Sequence, residues 1–328
     1  LYDGKINKII ITGMGSCYTA SVAIAHYMRI IFEKYIDINI TIQPHIASEA
    51  SGFYTNLNMK DHLVIILGQS GTTVDTNTYA KIAKNRGAST ISFLNKRQGD
   101  LSYLVDYNLY IGDGRDVEIS VPSTKTYLAH INLGYLFTSF LIDKKKYPKL
   151  SLDQFNKIQN LPLQINKNLS KIKKINFDNI TNIFCKKPNW YIIYDDSELS
   201  VTNLEIKIKF SELCYKSIPT FDIKYFLNLK IKDSIIIFNT SANYIALQNN
   251  INEILDYNNT IFLVSNDKRF SLIKKLNLHF FYQEKLSDNF NIYNSIIFFQ
   301  IFSYELAKKL NMRSKFILNL INSNNALE

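Results

Sequence analysis

Residues 68–73 read Gly-Gln-Ser-Gly-Thr-Thr, with three hydroxyl side chains and two glycines in six positions. They follow an apolar run, 63–67, rich in branched residues, the pattern of a strand buried on both faces. They precede a segment, 74–86, in which Ala80, Ile82 and Ala83 are apolar and Lys81, Lys84 and Arg86 charged, as in a helix. A turn between a strand's carboxyl end and a helix's amino end collects unpaired N–H groups and the positive end of the helix dipole. Ser70, Thr72 and Thr73 add hydroxyl donors, and glycine lets an anion approach the backbone. The chemistry this suits is phosphate binding without a metal. The lysine of a P-loop is missing, which argues against a nucleoside triphosphate. The same residues are also compatible with an ordinary strand-to-helix turn capped by a hydroxyl.

A second group lies in the helical pattern 199–215. Glu205, Lys209 and Glu212 are spaced by four and three and share a face, while Lys207 and Ser211 point elsewhere. Buried, such a row lowers a lysine pKa or presents a carboxylate as a base. Solvated, it is an i, i+4 ion pair of little consequence. Cys17, Cys185 and Cys214 have neither metal-ligand spacing nor a pairing pattern, so a reduced, cytoplasmic setting is expected. The five histidines are isolated, and no metal or other cofactor is expected.

Two domains are expected from 328 residues that are 46% hydrophobic. The net charge of +10 is scattered, its densest run being Lys144-Lys145-Lys146, and no basic stripe points to nucleic acid. No apolar run reaches membrane-spanning length, and no signal segment opens the chain. The first residue is Leu1, so a longer parent chain is expected.

The elements that must position these groups alternate. Strands are predicted at 8–12, 38–43, 63–67, 89–94 and 109–111, with helices at 18–35, 74–86 and 126–142 and a short one from Ala47. Such alternation implies a parallel sheet flanked by helices, in three layers. Gly13-Met14-Gly15-Ser16 is a second strand–turn–helix junction, without the third glycine of a dinucleotide fingerprint. Ser16 and the 69–73 turn could therefore face one pocket. The polar stretch 144–151 with Pro148 marks a boundary, giving domains 1–148 and 149–328. A helical linker at 152–182, broken at Pro162, leads to strands at 189–194, 234–239, 260–265 and 278–281 and a last helix at 292–310. The turn Asp195-Asp196-Ser197-Glu198 is acidic, so only the first half is expected to bind phosphate.

Gly13-Met14-Gly15-Ser16, Ala47-Ser48-Glu49, the 68–76 stretch and Ser123-Thr124-Lys125 resemble the motifs of sugar isomerase (SIS) domains. Their order and spacing most resemble the isomerase half of the glutamine–fructose-6-phosphate aminotransferases, the glucosamine-6-phosphate synthases. In the second half, Asn203-Leu204-Glu205 through Lys209, Glu212 and Tyr215 is similar to that family's catalytic helix, and Gln300, Tyr304, Ala307 and Asn319-Leu320 to its last helix and tail. The resemblance implies two SIS-type domains and a homodimer without metal or nucleotide. It implies binding of fructose 6-phosphate, followed by aminotransfer and ketose–aldose isomerisation to glucosamine 6-phosphate, a step of amino sugar biosynthesis. By resemblance, Ser16, Gln69, Ser70 and Thr73 hold the phosphate, Ser123 and the backbone near Val121 line the sugar, Glu212 is the base and Lys209 lies beside it.

The chain departs from the family in two places. Asn228 falls where the family has its ring-opening histidine, and Asn322 where it has its imine-forming lysine, the nearest lysine being Lys315. The glutaminase domain is expected ahead of Leu1. The competing expectations are a sugar-phosphate-binding SIS protein without catalysis and a related amino-sugar-phosphate isomerase or deaminase. Phe298, Phe299, Phe302 and Tyr304 on the last helix suit either a dimer face or core packing.

Overall fold

A computed structural model of the chain describes residues 4–35, 39–53, 56–113, 118, 122–143, 150–286 and 289–312. The chain parts into two compact units, Leu1–Leu161 and Pro162–Glu328. Lys144 to Lys146 and Pro148, where the boundary was expected, lie outside the described residues.

The first unit runs β1 (Lys8–Gly13), α1 (Ser16–Tyr35), β2 (Thr41–Ile46), α2 (Ala47–Phe53), β3 (His62–Gly68), α3 (Val74–Asn85), β4 (Ser89–Leu94), α4 (Leu101–Leu104), β5 (Tyr107–Tyr110) and α5 (Lys125–Asp143). The five strands form one parallel sheet in the order β2-β1-β3-β4-β5. Ile9, Ile10, Ile11, Val64, Ile65 and Ile66 are all buried, because helices cover both faces. Ile10, Val64 and Ile66 pack with Tyr79, Ala80 and Ala83 of α3. Across the sheet α1 packs on α5, where Tyr27 and Tyr135 stack with centroids 3.7 Å apart. β2 starts later than expected and takes in Pro44 and His45; it is an edge strand, where a missing N–H is tolerated.

The second unit begins within α6 (Leu150–Ile172) and runs on through α7 (Asp178–Lys186), β6 (Trp190–Tyr194), a 3₁₀ turn (Glu198–Thr202), α8 (Asn203–Cys214), β7 (Thr220–Asp222), α9 (Ile223–Leu229), β8 (Ile235–Thr240), α10 (Tyr244–Asp256), β9 (Thr260–Ser265), a second 3₁₀ turn (Lys268–Leu272), β10 (Leu278–Tyr282) and α11 (Asn291–Lys309). Its parallel sheet is ordered β10-β9-β8-β6-β7. Counted from its own first strand, this is the winding of the first unit. Both units are therefore three-layer α/β domains of the SIS type, as the alternation and the resemblance imply.

Pro162 does not break α6: proline removes one backbone bond, and the 23-residue helix keeps those on either side. The single helix expected over 199–215 is a 3₁₀ turn followed by α8. β7, α9 and α10 were not legible, the first being only three residues long. On α11, Phe298, Phe299 and Phe302 are core residues, packed with Phe262 in this unit, and only Tyr304 is exposed. This removes them as an argument for a dimer face. Among the described residues no helix is long and apolar enough to cross a membrane.

Candidate functional site

In the first sheet the winding reverses between β1 and β3, and the turns that follow these neighbouring strands carry the hydroxyl residues. Ser16 is the buried first residue of α1. In the other turn the hydroxyls of Ser70 and Thr72 lie 2.8 Å apart, and the Thr72 amide donates to Ser70 Oγ at 3.2 Å. Thr73 is the N-cap of α3 in extended conformation, and its side chain makes no capping bond. The hydroxyl N-cap expected of an ordinary strand-to-helix turn is therefore not formed by Thr73.

The turn is held from below and from the side. Gly71 adopts φ +75°, which favours glycine. The Gln69, Gly68 and Gly71 carbonyls accept the amides of Lys96, Asn95 and Leu101 at 3.1, 3.3 and 2.9 Å. A Cβ at Gly99 would overlap the Ser70 carbonyl oxygen and lie 2.8 Å from Gly71 Cα. Gly99 therefore lets the 95–100 loop close against the 69–73 turn, a role that no local sequence pattern announces. Beneath it His130 is buried, its Nε2 paired with the Phe93 carbonyl at 3.1 Å; burial lowers its pKa to about 4, so the ring is neutral at pH 7.

Gln69 reaches sideways, its Nε2 donating to the Glu118 carbonyl at 2.6 Å. The Glu118 carboxylate in turn binds the start of α5, taking the Thr124 amide at 2.7 Å and the Ser123 hydroxyl at 3.3 Å. Burial alone would raise the Glu118 pKa, but bonds from the Thr124 hydroxyl and the Thr124 and Thr126 amides hold it below the usual range. Ser16, Gln69, Ser70, Thr73 and Ser123 thus sit at the carboxyl edge of one sheet, with Glu118 linking two of them. Val121 lies outside the described residues. Glu118 was not singled out by sequence; the signal was an acidic residue shortly before a Ser-Thr helix start.

In the second unit the row on α8 is buried. Lys209 Nζ lies 3.0 Å from Glu205 Oε1 and 3.2 Å from Glu212 Oε2, with side-chain exposures of 1%, 0% and 22% for Lys209, Glu205 and Glu212. The solvated alternative is excluded for Glu205 and Lys209. Glu212 alone of the three retains access to solvent. Its pKa is raised, chiefly by burial; Lys209 opposes the shift and Glu205 adds to it. A carboxylate made more basic in this way, next to a fixed ammonium, is suited to general-base work. Asn228 is exposed on α9, and Lys315, Asn319, Leu320 and Asn322 lie outside the described residues.

At the second sheet's own switch point a cavity of about 550 Å³ is lined by Asp195, Asp196, Asp222 and Ser241. Asp195 is buried there, accepting the Ser197 amide at 3.0 Å, the Ser200 hydroxyl at 3.1 Å and the Thr240 hydroxyl. Among the described residues no group of His, Cys, Asp or Glu could hold a metal ion.

Residues 4–139 match the SIS domain family. Over 213 residues the chain is 30% identical to a glutamine–fructose-6-phosphate aminotransferase (isomerizing) of Methanococcus maripaludis, an alignment covering 64% of this chain and 32% of that protein. Over 174 residues it is 28% identical to the same-named protein of Sulfurisphaera tokodaii, covering 51% and 27%. The alignments span less than a third of the length of these curated relatives. The solved C-terminal domain of glucosamine-fructose-6-phosphate aminotransferase from Francisella tularensis superposes with a TM-score of 0.76 at 19% identity, covering 94% of this chain and 86% of that one.

Proposed function

Because residues 4–139 are a SIS domain and the second unit repeats its winding, we propose that the chain binds a ketose phosphate such as fructose 6-phosphate. The observation that carries this reading is the turn at 69–73, where hydroxyls and amides converge at an α3 terminus without a side-chain cap. Ser16, Gln69, Ser70 and Thr73 hold the phosphate, and Ser123 with the backbone at Val121 lines the sugar.

The activity proposed is that of the isomerase part of a glutamine–fructose-6-phosphate aminotransferase. Ammonia adds to the ketone of fructose 6-phosphate and water leaves. A proton then moves from the first to the second sugar carbon by way of an enamine, giving glucosamine 6-phosphate. Glu212 is the base for that transfer, and Lys209 keeps its carboxylate oriented. A homodimer, a glutaminase domain supplying the ammonia and a cytoplasmic setting belong to the same proposal.

The test is exchange, in deuterated water with ammonia present, of the proton that the first carbon of fructose 6-phosphate gives up. Exchange is expected with the whole chain and is expected to fall about 10²–10⁴-fold in Glu212→Gln. A base must be ionised, and the Glu212 pKa is raised, so the rate climbs with pH through a midpoint above the ordinary 4.5. Asn228, exposed on α9 in place of the family's histidine, favours a second reading: a binder that catalyses nothing. Bound fructose 6-phosphate with exchange at the buffer rate in both proteins decides for that reading.

A further inference from the structure

The cavity of about 550 Å³ in the second unit has no part in the reading above. Its walls come from that unit alone. Asp195, Asp196 and Ser197 follow β6, Asp222 ends β7, and Ser241 and Ala242 follow β8. A cavity of this size holds a small polar molecule.

Most of its polar groups are already engaged. Asp195 is bonded to Ser197, Ser200 and Thr240. Asp222 caps α9, accepting the Lys224 and Tyr225 amides at 2.8 and 3.2 Å. The Tyr244 and Ala246 amides of α10 are taken by Asp267 and Asn243. Two charges are left over. The Asp196 carboxylate and the Lys224 ammonium line the same cavity, and neither pairs with the other or with any other described residue. The floor is apolar, with Ile223 and Leu247 both buried.

These groups select by charge. A sugar phosphate brings two negative charges to a wall that already carries three carboxylates. A bare cation leaves Lys224 unanswered, and among the described residues the carboxylates do not gather into a metal site. A small zwitterion answers both signs. We infer that this cavity is a binding site for a free α-amino acid with an aliphatic side chain. Its ammonium meets Asp196, its carboxylate meets Lys224, and its side chain covers Ile223 and Leu247. The site is separate from the sugar-phosphate reading and does not rest on it.

The experiment is calorimetry on the whole chain with L-leucine, N-acetyl-L-leucine and L-leucinamide. Wild type binds leucine. Acetylation removes the ammonium and amidation removes the carboxylate, and each weakens binding about tenfold, the scale of one charge-assisted contact. The variants reproduce these losses one by one. Asp196→Asn binds leucine about tenfold more weakly and no longer distinguishes it from N-acetyl-leucine. Lys224→Gln does the same for leucinamide. Both side chains are exposed, so both variants fold. Wild type that does not bind leucine overturns the inference, as do two variants that bind all three probes as wild type does. Fructose 6-phosphate affinity is the same in both variants, and leucine affinity is the same in Ser70→Ala, so failure of this site and failure of the sugar-phosphate reading are read separately.

Discussion

After β1 the first unit turns through Gly13, Met14 and Gly15 into Ser16; after β6, the corresponding strand of the second, stand Asp195, Asp196 and Ser197. The same contrast holds one connection later. After β3 come Ser70, Thr72 and an α3 whose cap residue Thr73 makes no side-chain bond. After β8 comes an α10 whose first amides are already taken, Tyr244 by Asp267 at 2.8 Å and Ala246 by Asn243 at 3.0 Å. Identical winding aims strand ends and helix dipoles at a crevice in both units. What differs is where the negative charge comes from. In the second unit Asp195 and Asp267 belong to the chain itself, so the amides they bind are satisfied without an outside anion. In the first unit the described residues supply such a carboxylate only at α5, through Glu118, and in the function proposed above the turn at 69–73 takes its anion from a ligand. Winding thus makes an anion site possible, and a few side chains decide whether the chain fills it.

If Asp195 is a built-in anion, its loss is a stability effect in the second unit. Asp195→Ala leaves the Thr240 and Ser200 hydroxyls and the Ser197 amide facing a buried gap. The expected cost is about 2–4 kcal/mol, the scale for removing a buried, hydrogen-bonded charge from its partners. The chain's single tryptophan, Trp190, is buried at the first residue of β6, the strand that leads into this turn, and its fluorescence reports unfolding of this unit in urea. A midpoint that does not move shows that Asp195 is not what satisfies the second crevice.

The counterpart in the first unit is a binding effect. Ser70 bonds only within its own exposed turn, to Thr72. Ser70→Ala is expected to weaken fructose 6-phosphate by about 1–3 kcal/mol, the range for a hydrogen bond to a charged group, while the unfolding midpoint shifts by little. Equal affinity of the two proteins in calorimetry removes the phosphate from this turn.

Much of this contrast is legible in residue types. The apolar runs at 63–67 and 260–265 declare buried parallel strands, and hydroxyls against acids in the turns declare opposite electrostatics. The row Glu205, Lys209, Glu212 is visible as a helical face, but whether water reaches it depends on what packs on α8, which spacing does not encode. Gly99 and Glu118 were missed for a related reason: each acts on a segment distant in sequence, the first on Ser70 and the second, through its carbonyl, on Gln69. The short β7 carries too few residues for a period to emerge. Pro162 misled because a strong local rule was outvoted by the rest of a long helix.

The smallest expected effect separates the two helix starts most directly. Asn243 accepts from the Ala246 amide and caps α10; Thr73 holds the same position at α3 and makes no such bond. Substituting a working N-cap by alanine costs about 1 kcal/mol, because an amide of the first turn loses its partner. Asn243→Ala should therefore lower the melting temperature in scanning calorimetry, and Thr73→Ala should leave it close to wild type. Ligand reverses the order. If a phosphate occupies the start of α3, saturating fructose 6-phosphate stabilises wild type and Asn243→Ala alike, and Thr73→Ala less, having lost a hydroxyl donor to the anion. Equal destabilisation by the two substitutions without ligand means that Thr73 caps α3 after all. The turn at 69–73 would then be satisfied by its own chain, as Asp195 satisfies the other, and the difference between the two crevices would disappear.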